Sequence, residues 1–304
     1  MKTIHFLCAA TFALSMASCS SDENGLDMMG ERVAVEFSAS VGVTQTRAID
    51  QAWSANDAIG IFMVNKDAEL KKENIREAAE NIRYVVDATK QNGFKADGAA
   101  IYYPMNAEKV DFYAYYPQGT VTNNATSGNY EYALNVADQS NQEDIDFMYS
   151  NNVKDKSKIN RDAALSFAHK LCKVVLTVQP GDGVTEADMS ALTVKVLSQE
   201  TAATFDLTTG SLNIDEGQRE NITFYKQANA YVYEAILLPN PDIARVFEFN
   251  LNNGVDAAFV WDMQKPLLSG NKYIYTVKLN RQGVAVTGTI APWTPNDGGT
   301  VNAN

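Results

Sequence analysis

The 304-residue sequence predicts an all-β protein made of two antiparallel β-sandwich domains in tandem, with at most one or two short helices. Residues 33–43 alternate strictly: Val33, Val35, Phe37, Ala39, Val41 and Val43 share one parity, and Ala34, Glu36, Ser38, Ser40, Gly42 and Thr44 take the other. Period two puts one face of an extended segment against a core. Short apolar segments then recur to the end of the chain, separated by Pro, Gly and Asn turns, the pattern of a sandwich. A single stretch, Ala68–Arg83, carries helical spacing, through Leu70, Ile75, Ala78 and Ile82; a charged loop is the other reading of it.

Ahead of the alternating segment lies a different kind of sequence. Lys2 supplies a positive start, and Phe6 to Met16 is mostly apolar and too short for a transmembrane helix. Met16-Ala17-Ser18-Cys19 follows, then the polar run Ser20 to Asn24. Small residues running into a cysteine resemble a bacterial lipobox, with Met16 where Leu is usual. The resemblance implies that residues 1–18 are a signal peptide and that Cys19 becomes the lipidated first residue, anchored in outer-membrane lipid by its palmitate-type chains. Each buried methylene contributes about 0.8 kcal/mol, so several chains hold firmly where one is marginal. Residues 19–32 then read as a tether, and the acidic run after Cys19 resembles an export tag of surface lipoproteins.

The alternating strand, 33–43, ends in Thr46-Arg47-Ala48. Further strands are expected at Ile59–Val64, Tyr84–Val86, Ile101–Tyr103, Val110–Tyr116, Tyr130–Val136 and Ile145–Tyr149, with Pro104 and Pro117 as stops and a polar loop at 118–129. The charge-rich segment Asn151–Asp162 reads as the boundary between domains at 33–160 and 161–304. Beyond Leu165–Val178, strands are expected at Leu192–Leu197, Thr204–Leu207, Ile222–Tyr225, Ala230–Leu238, Val246–Leu251, Ala257–Asp262, Tyr273–Asn280 and Val284–Ile290.

Composition narrows the chemistry. A formal net charge of −12 with no basic stripe argues against a nucleic-acid partner. Of three cysteines, Cys8 leaves with the signal and Cys19 is lipidated, so Cys172 has no disulfide partner and reads as a small buried hydrophobe. Only two histidines occur, His5 in the signal and His169 on a strand between Phe167 and Leu171, where a structural role is expected. No nucleophile elbow, phosphate loop or zinc motif is present, and no cofactor, metal or enzymatic activity is expected. The acidic groups Glu143-Asp144-Asp146 and Asp182/Glu186/Asp188 lack calcium-loop spacing, and Asp57, Asp97 and Asp242 read as turn residues. Tyrosines crowd the strands, at Tyr102, Tyr103, Tyr113, Tyr115, Tyr116, Tyr231, Tyr233, Tyr273 and Tyr275. Cross-strand packing is one use of them and a sugar-stacking face the other.

Taken in order, several segments resemble the Bacteroidales fimbrillin family, pilins made as surface lipoprotein precursors. They are Cys19, the strand Val33–Val43 with Arg47 behind it, Trp53–Met63, Val110–Pro117, Phe167–Leu171, Gly270–Leu279 and Gly288–Trp293. The resemblance implies two transthyretin-like sandwiches and assembly into surface fimbriae that contribute to adhesion. It implies that an arginine-specific protease cuts between Arg47 and Ala48, leaving residues 48–304, and removes the first strand. Arg32 is a competing site, but cutting there leaves the strand in place. The strand is expected to be an edge ribbon. Its apolar residues Val33, Val35, Phe37, Val41 and Val43 would each contribute roughly 1.5–3 kcal/mol if fully buried. A strand from the next subunit would refill the slot by β-augmentation, and head-to-tail repetition would build a filament.

The donor is expected in Val284–Ile290, with Val284, Val286 and Ile290 on one parity, because the tail beyond Trp293 is short and polar. That departure leaves open a stalk, tip or anchor subunit. The other reading is a monomeric surface lipoprotein whose tyrosine-rich face binds a glycan or host protein.

Overall fold

The structure is a computed structural model that describes residues 32–42, 53–228, 230–242, 245–254 and 258–293. In chain order its strands are β1 (Phe37–Val41), β2 (Ala58–Asn65), β3 (Ile82–Val86), β4 (Gly93–Ala96), β5 (Val110–Tyr116), β6 (Val121–Asn123), β7 (Tyr130–Asn135), β8 (Met148–Ser150), β9 (Ala163–His169) and β10 (Cys172–Pro180). Then come β11 (Thr193–Glu200), β12 (Ala202–Asp206), β13 (Ser211–Ile214), β14 (Arg219–Thr223), β15 (Tyr225–Lys226), β16 (Val232–Leu237), β17 (Arg245–Asn250), β18 (Phe259–Met263), β19 (Asn271–Asn280) and β20 (Gly283–Pro292). The described residues contain no α-helix, only 3₁₀ turns at Lys72–Asn74, Gln142–Asp144 and Asp188–Ala191.

Seven strands close a barrel in the order β1-β4-β3-β2-β5-β8-β9. Three open sheets account for the rest: β15-β16-β10-β19-β20, β14-β11-β17-β18 and β13-β12-β7-β6. The barrel interior holds one apolar cluster, with Phe37, Ile59, Ile61, Met63, Phe112, Ala114 and Phe167 at its centre. A larger cluster joins the open sheets and takes in Phe62, Val64, Tyr113, Tyr115 and Tyr149 from the outer face of the barrel. β2 and β5 are therefore buried on both faces, along Ala58–Val64 and all of Val110–Tyr116. This is why both read as continuous apolar runs without alternation. Gly60 permits the arrangement, since a Cβ there would lie 2.3 Å from the Tyr115 ring.

Several expectations are corrected by this architecture. The first strand is not an edge ribbon: it sits between β4 and β9 and closes the barrel. Its regular part is shorter than 33–43, running Phe37–Val41, with Ala34 joined to Tyr102 by an isolated bridge. That bridge is all that Ile101–Tyr103 contributes to pairing. The Ala68–Arg83 helix does not form. Its residues make one 3₁₀ turn and then enter β3, because Leu70 and Ala79 are buried from a looping backbone and Glu77, Ala78 and Asn81 take positive φ. The loop at 118–129 contains β6. The polar segment at 151–162 falls within the barrel, not between sheets: β9 follows it and pairs with β8 and β1. The chain leaves the barrel for β6 and β7, returns through β8 and β9, and leaves it for the last time after His169; β7 from the first half pairs with β12 from the second.

Candidate functional site

The alternation of the first strand becomes a seat in the barrel wall. Val35, Phe37, Ala39 and Val41 are buried, Glu36, Ser38 and Ser40 are exposed, and Val33 is half-buried. On one side the Val35 N–H donates to Ile101 O at 2.9 Å, the Tyr103 N–H to Val33 O at 3.0 Å and the Ala39 N–H to Asn92 O at 2.9 Å. On the other side β1 runs parallel to β9, in register from Phe37 opposite Ala163 to Val41 opposite Phe167. The Gly42 N–H extends that side to Phe167 O at 2.8 Å. Both rows of backbone groups on the segment are thus engaged, and each row has an opposing row that depends on it.

Aromatic packing fixes the segment further. The Phe37 ring meets Tyr84 edge-on at 5.0 Å and Phe112 at 5.2 Å. Burial raises the Tyr84 phenol above its ordinary value, and that hydroxyl accepts the Ile101 N–H at 2.9 Å. Trp53 closes the far end of the seat: its Nε1–H donates to Ala39 O at 3.0 Å, and its ring contacts Phe94, Tyr116 and Phe167 edge-on. Full burial of Val35, Phe37 and Val41 is worth about 5–9 kcal/mol together. The exposed pair between Glu36 and Lys90, 3.0 Å apart, adds little.

Among the other sequence-predicted residues, Cys19, Val43, Arg47 and Ala48 lie outside the described residues. Val284, Val286 and Ile290 lie on β20, the outermost strand of its sheet, where ten residue pairs join it to β19. Val284 and Val286 are half-buried against the larger core and Ile290 is 43 % exposed. Gly288 lets the Tyr275 ring lie across β20, since a Cβ there would stand 2.0 Å from it.

Cys172 is a buried free thiol whose Sγ–H donates to Leu237 O at 3.1 Å. The tyrosines go to packing: Tyr103, Tyr113, Tyr115, Tyr116, Tyr233, Tyr273 and Tyr275 are buried, and Tyr102 and Tyr231 are half-buried. Of the two uses open to these residues, cross-strand packing is the one that the fold makes of them, in place of an exposed sugar-stacking face. No group of three or more His, Cys, Asp or Glu among the described residues could hold a metal ion. Asp57 is a turn residue as expected, accepting the Ser54 N–H at 2.6 Å.

Sequence reasoning treated His169 and the carboxylates near it separately, and the fold brings them together. His169 Nδ1 lies 2.7 Å from Asp146 Oδ1, and the imidazole stacks on Trp293. Asp57, accepting the Tyr116 hydroxyl at 2.9 Å, stands in the same cleft. Its carboxyl is raised above the usual carboxylate value, first by burial and then by Glu143 and Asp146, the lowering hydrogen bonds from Ser54 and Tyr116 notwithstanding. The signal available in the sequence was only the order Trp53…Asp57…His169…Trp293, which carries no spacing rule.

A β protein closed by its own N-terminal strand is the class that this fold and seat define. Residues 46–293 match the fimbrillin-like family, and the chain belongs to it. It is 33 % identical to a Bacteroides uniformis protein named "Putative fimbrium subunit Fim1C", over 100 % of this chain and 99 % of that one. A crystal structure of a "putative cell adhesion protein" from Bacteroides uniformis superposes with a TM-score of 0.73 at 34 % identity, covering 86 % of this chain and 99 % of that one. Another so described, from Bacteroides ovatus, superposes with a TM-score of 0.64 at 22 % identity, over 88 % of this chain and 100 % of that one, and shows the likeness of fold alone.

Proposed function

We propose that this chain is a structural, non-enzymatic subunit of a cell-surface fimbria, exported as an outer-membrane lipoprotein through Cys19 and assembled with other fimbrial subunits by strand exchange. The observation that carries the reading is the seat of the first strand. A single-faced segment, engaged by backbone hydrogen bonds on both sides, closes a barrel otherwise complete. The strand expected as an edge ribbon instead sits between β4 and β9, so its release must open both rows of hydrogen bonds. Removing an edge strand merely shortens a sheet, whereas removing β1 leaves a slot with two unpaired rows and an apolar floor. A strand of matching alternation supplies both.

In this reading an arginine-specific protease cuts after Arg47 and residues 48–304 enter the filament, contributing to adhesion. The two transthyretin-like sandwiches belong to the same reading, with the barrel as the first and the sheets after His169 as the core of the second. β20 is the candidate donor through Val284, Val286 and Ile290, as an outermost strand of its sheet that pairs, among the described residues, with β19 alone.

N-terminal sequencing and intact mass of material sheared from cells test the proposal. Protein starting at Ala48 in polymers is expected, and Arg47→Ala is expected to abolish them. Polymers forming unchanged from Arg47→Ala would remove the trigger. A monomer that keeps its lipid on Cys19 throughout would instead be a surface lipoprotein that binds a glycan or host protein.

A further inference from the structure

The cleft between the end of the barrel and the second sheet has a chemistry that barrel closure does not use. It encloses about 260 Å³. Its acidic side is made by Asp57, Glu143 and Asp146; Ser54 links the first two, its N–H donating to Asp57 and its hydroxyl to Glu143 at 3.3 Å. Its aromatic walls are Trp53, Tyr116 and Trp293. The cation that also lines it, Lys173, is already matched by Glu234 at 2.7 Å. Among the described residues the acidic groups therefore lack a cation of their own, and the half-burial of Asp57 and Asp146 makes their repulsion costlier than it would be in water.

A second observation comes from His169, which lines the same cleft and is 5 % exposed. In the tautomer that carries its proton on Nδ1 toward Asp146, Nε2 is an acceptor, and that buried atom has no hydrogen-bond partner among the described residues. A buried acceptor without a donor is costly and uncommon. What the cleft lacks among the described residues is a positively charged donor of N–H bonds that tolerates flat aromatic walls. A guanidinium answers each requirement: it is always charged, it donates in a plane to carboxylates, and it stacks on aromatic faces. A bare metal ion fits less well, since no metal-competent cluster exists among the described residues.

We propose that this cleft is a binding site for an alkylguanidinium group, held by Glu143 and Asp146, walled by Trp53 and Trp293, and read at its inner end by His169 Nε2. The proposal does not depend on fimbrial assembly and would hold equally for a monomeric surface protein.

The full-length chain carrying His5→Gln, so that His169 is its only histidine, is titrated with methylguanidinium chloride at constant ionic strength. Binding is followed by calorimetry and by the imidazole ¹H–¹⁵N spectrum. Saturable one-to-one binding with a millimolar Kd and a shift at His169 Nε2 is expected, and tetramethylammonium, which has no N–H, should not reproduce it. Glu143→Gln should weaken binding at least threefold and Asp146→Asn at least tenfold. Glu143 is exposed, so its substitution tests the site without endangering the fold. Absence of saturation, or the same affinity in Glu143→Gln as in the parent chain, would overturn the proposal. A short peptide with a central arginine separates the sources: at least tenfold tighter binding than methylguanidinium identifies a polypeptide side chain as the ligand, and equal binding a free small molecule.

Discussion

The imidazole of His169 lies flat on the indole of Trp293, with centroids 3.9 Å apart and planes within 4°. The first residue ends β9, the last strand of the barrel, and the second immediately follows β20. The Trp293 N–H donates to Gly270 O, and the Gly270 N–H to Leu171 O at 2.8 Å. One stacked pair and a short run of backbone bonds thus fasten the end of the second sheet to the point where the chain leaves the barrel. Trp293→Ala should cost about 3–5 kcal/mol, the usual range for deleting a buried large aromatic ring. The midpoint of chemical denaturation measures it, and a loss under 1 kcal/mol would mean that the stack holds nothing together.

The seat of β1 makes a sharper contrast. Phe37 is 3 % exposed and packs against two rings, whereas Ser38 beside it faces solvent. Phe37→Ala should destabilise the full-length chain by about 3–5 kcal/mol, and Ser38→Ala should stay within about 0.5 kcal/mol of the parent. Equal effects in paired denaturation curves would contradict the single-faced packing.

Cys172 is fully enclosed, and burial pushes its thiol up to about 12. Only the thiolate attacks an aromatic disulfide reagent. The folded chain should therefore leave Cys172 unmodified at pH 8 over hours and react within minutes in denaturant. Cys8 and Cys19 are replaced by serine so that one thiol is counted. Rapid labelling of the folded form would place the residue at the surface.

Alkaline pH should unfold the protein cooperatively. Burial raises the phenols of Tyr103 and Tyr233 to about 12, and both hydroxyls donate to carbonyls, Arg161 O at 3.1 Å and Leu192 O at 3.0 Å. An unfolded tyrosine ionises near pH 10. Between these values the native state binds more protons than the unfolded one, so stability falls as pH rises. The contribution is complete below about pH 10 and is lost on the way to about 12. Absorbance at 295 nm should show a late ionisation phase coinciding with loss of the β-sheet circular dichroism signal. Smooth ionisation near pH 10 with the fold intact would refute it.

Much of this was legible in the residues. The alternation from Val35 to Val41 correctly named which side chains are buried, because period two follows from the geometry of an extended chain alone. The unbroken runs Ile59–Val64 and Val110–Tyr116 marked two strands, and the fold covers both of them on both faces. Local rules failed where burial came from elsewhere. Leu70, Ile75, Ala78 and Ile82 carry helical spacing, yet Leu70 is buried from a loop and Ile82 opens a strand. Gly93–Ala96 is too short and mixed to register as β4, and it exists because it pairs with β1 and β3.

By itself the sequence determined the all-β class, the inward face of the first strand and the loneliness of Cys172, since composition and two-residue periodicity are properties of the chain. Tertiary structure decided who pairs with whom. The parallel partnership of β1 with β9 has no turn to announce it, and the meeting of Asp57, Glu143, Asp146, His169 and Trp293 depends on barrel closure. A strand's pattern states that it must be covered on one side; only the closing of the sheet, through hydrogen bonds between segments distant in the chain, states by what.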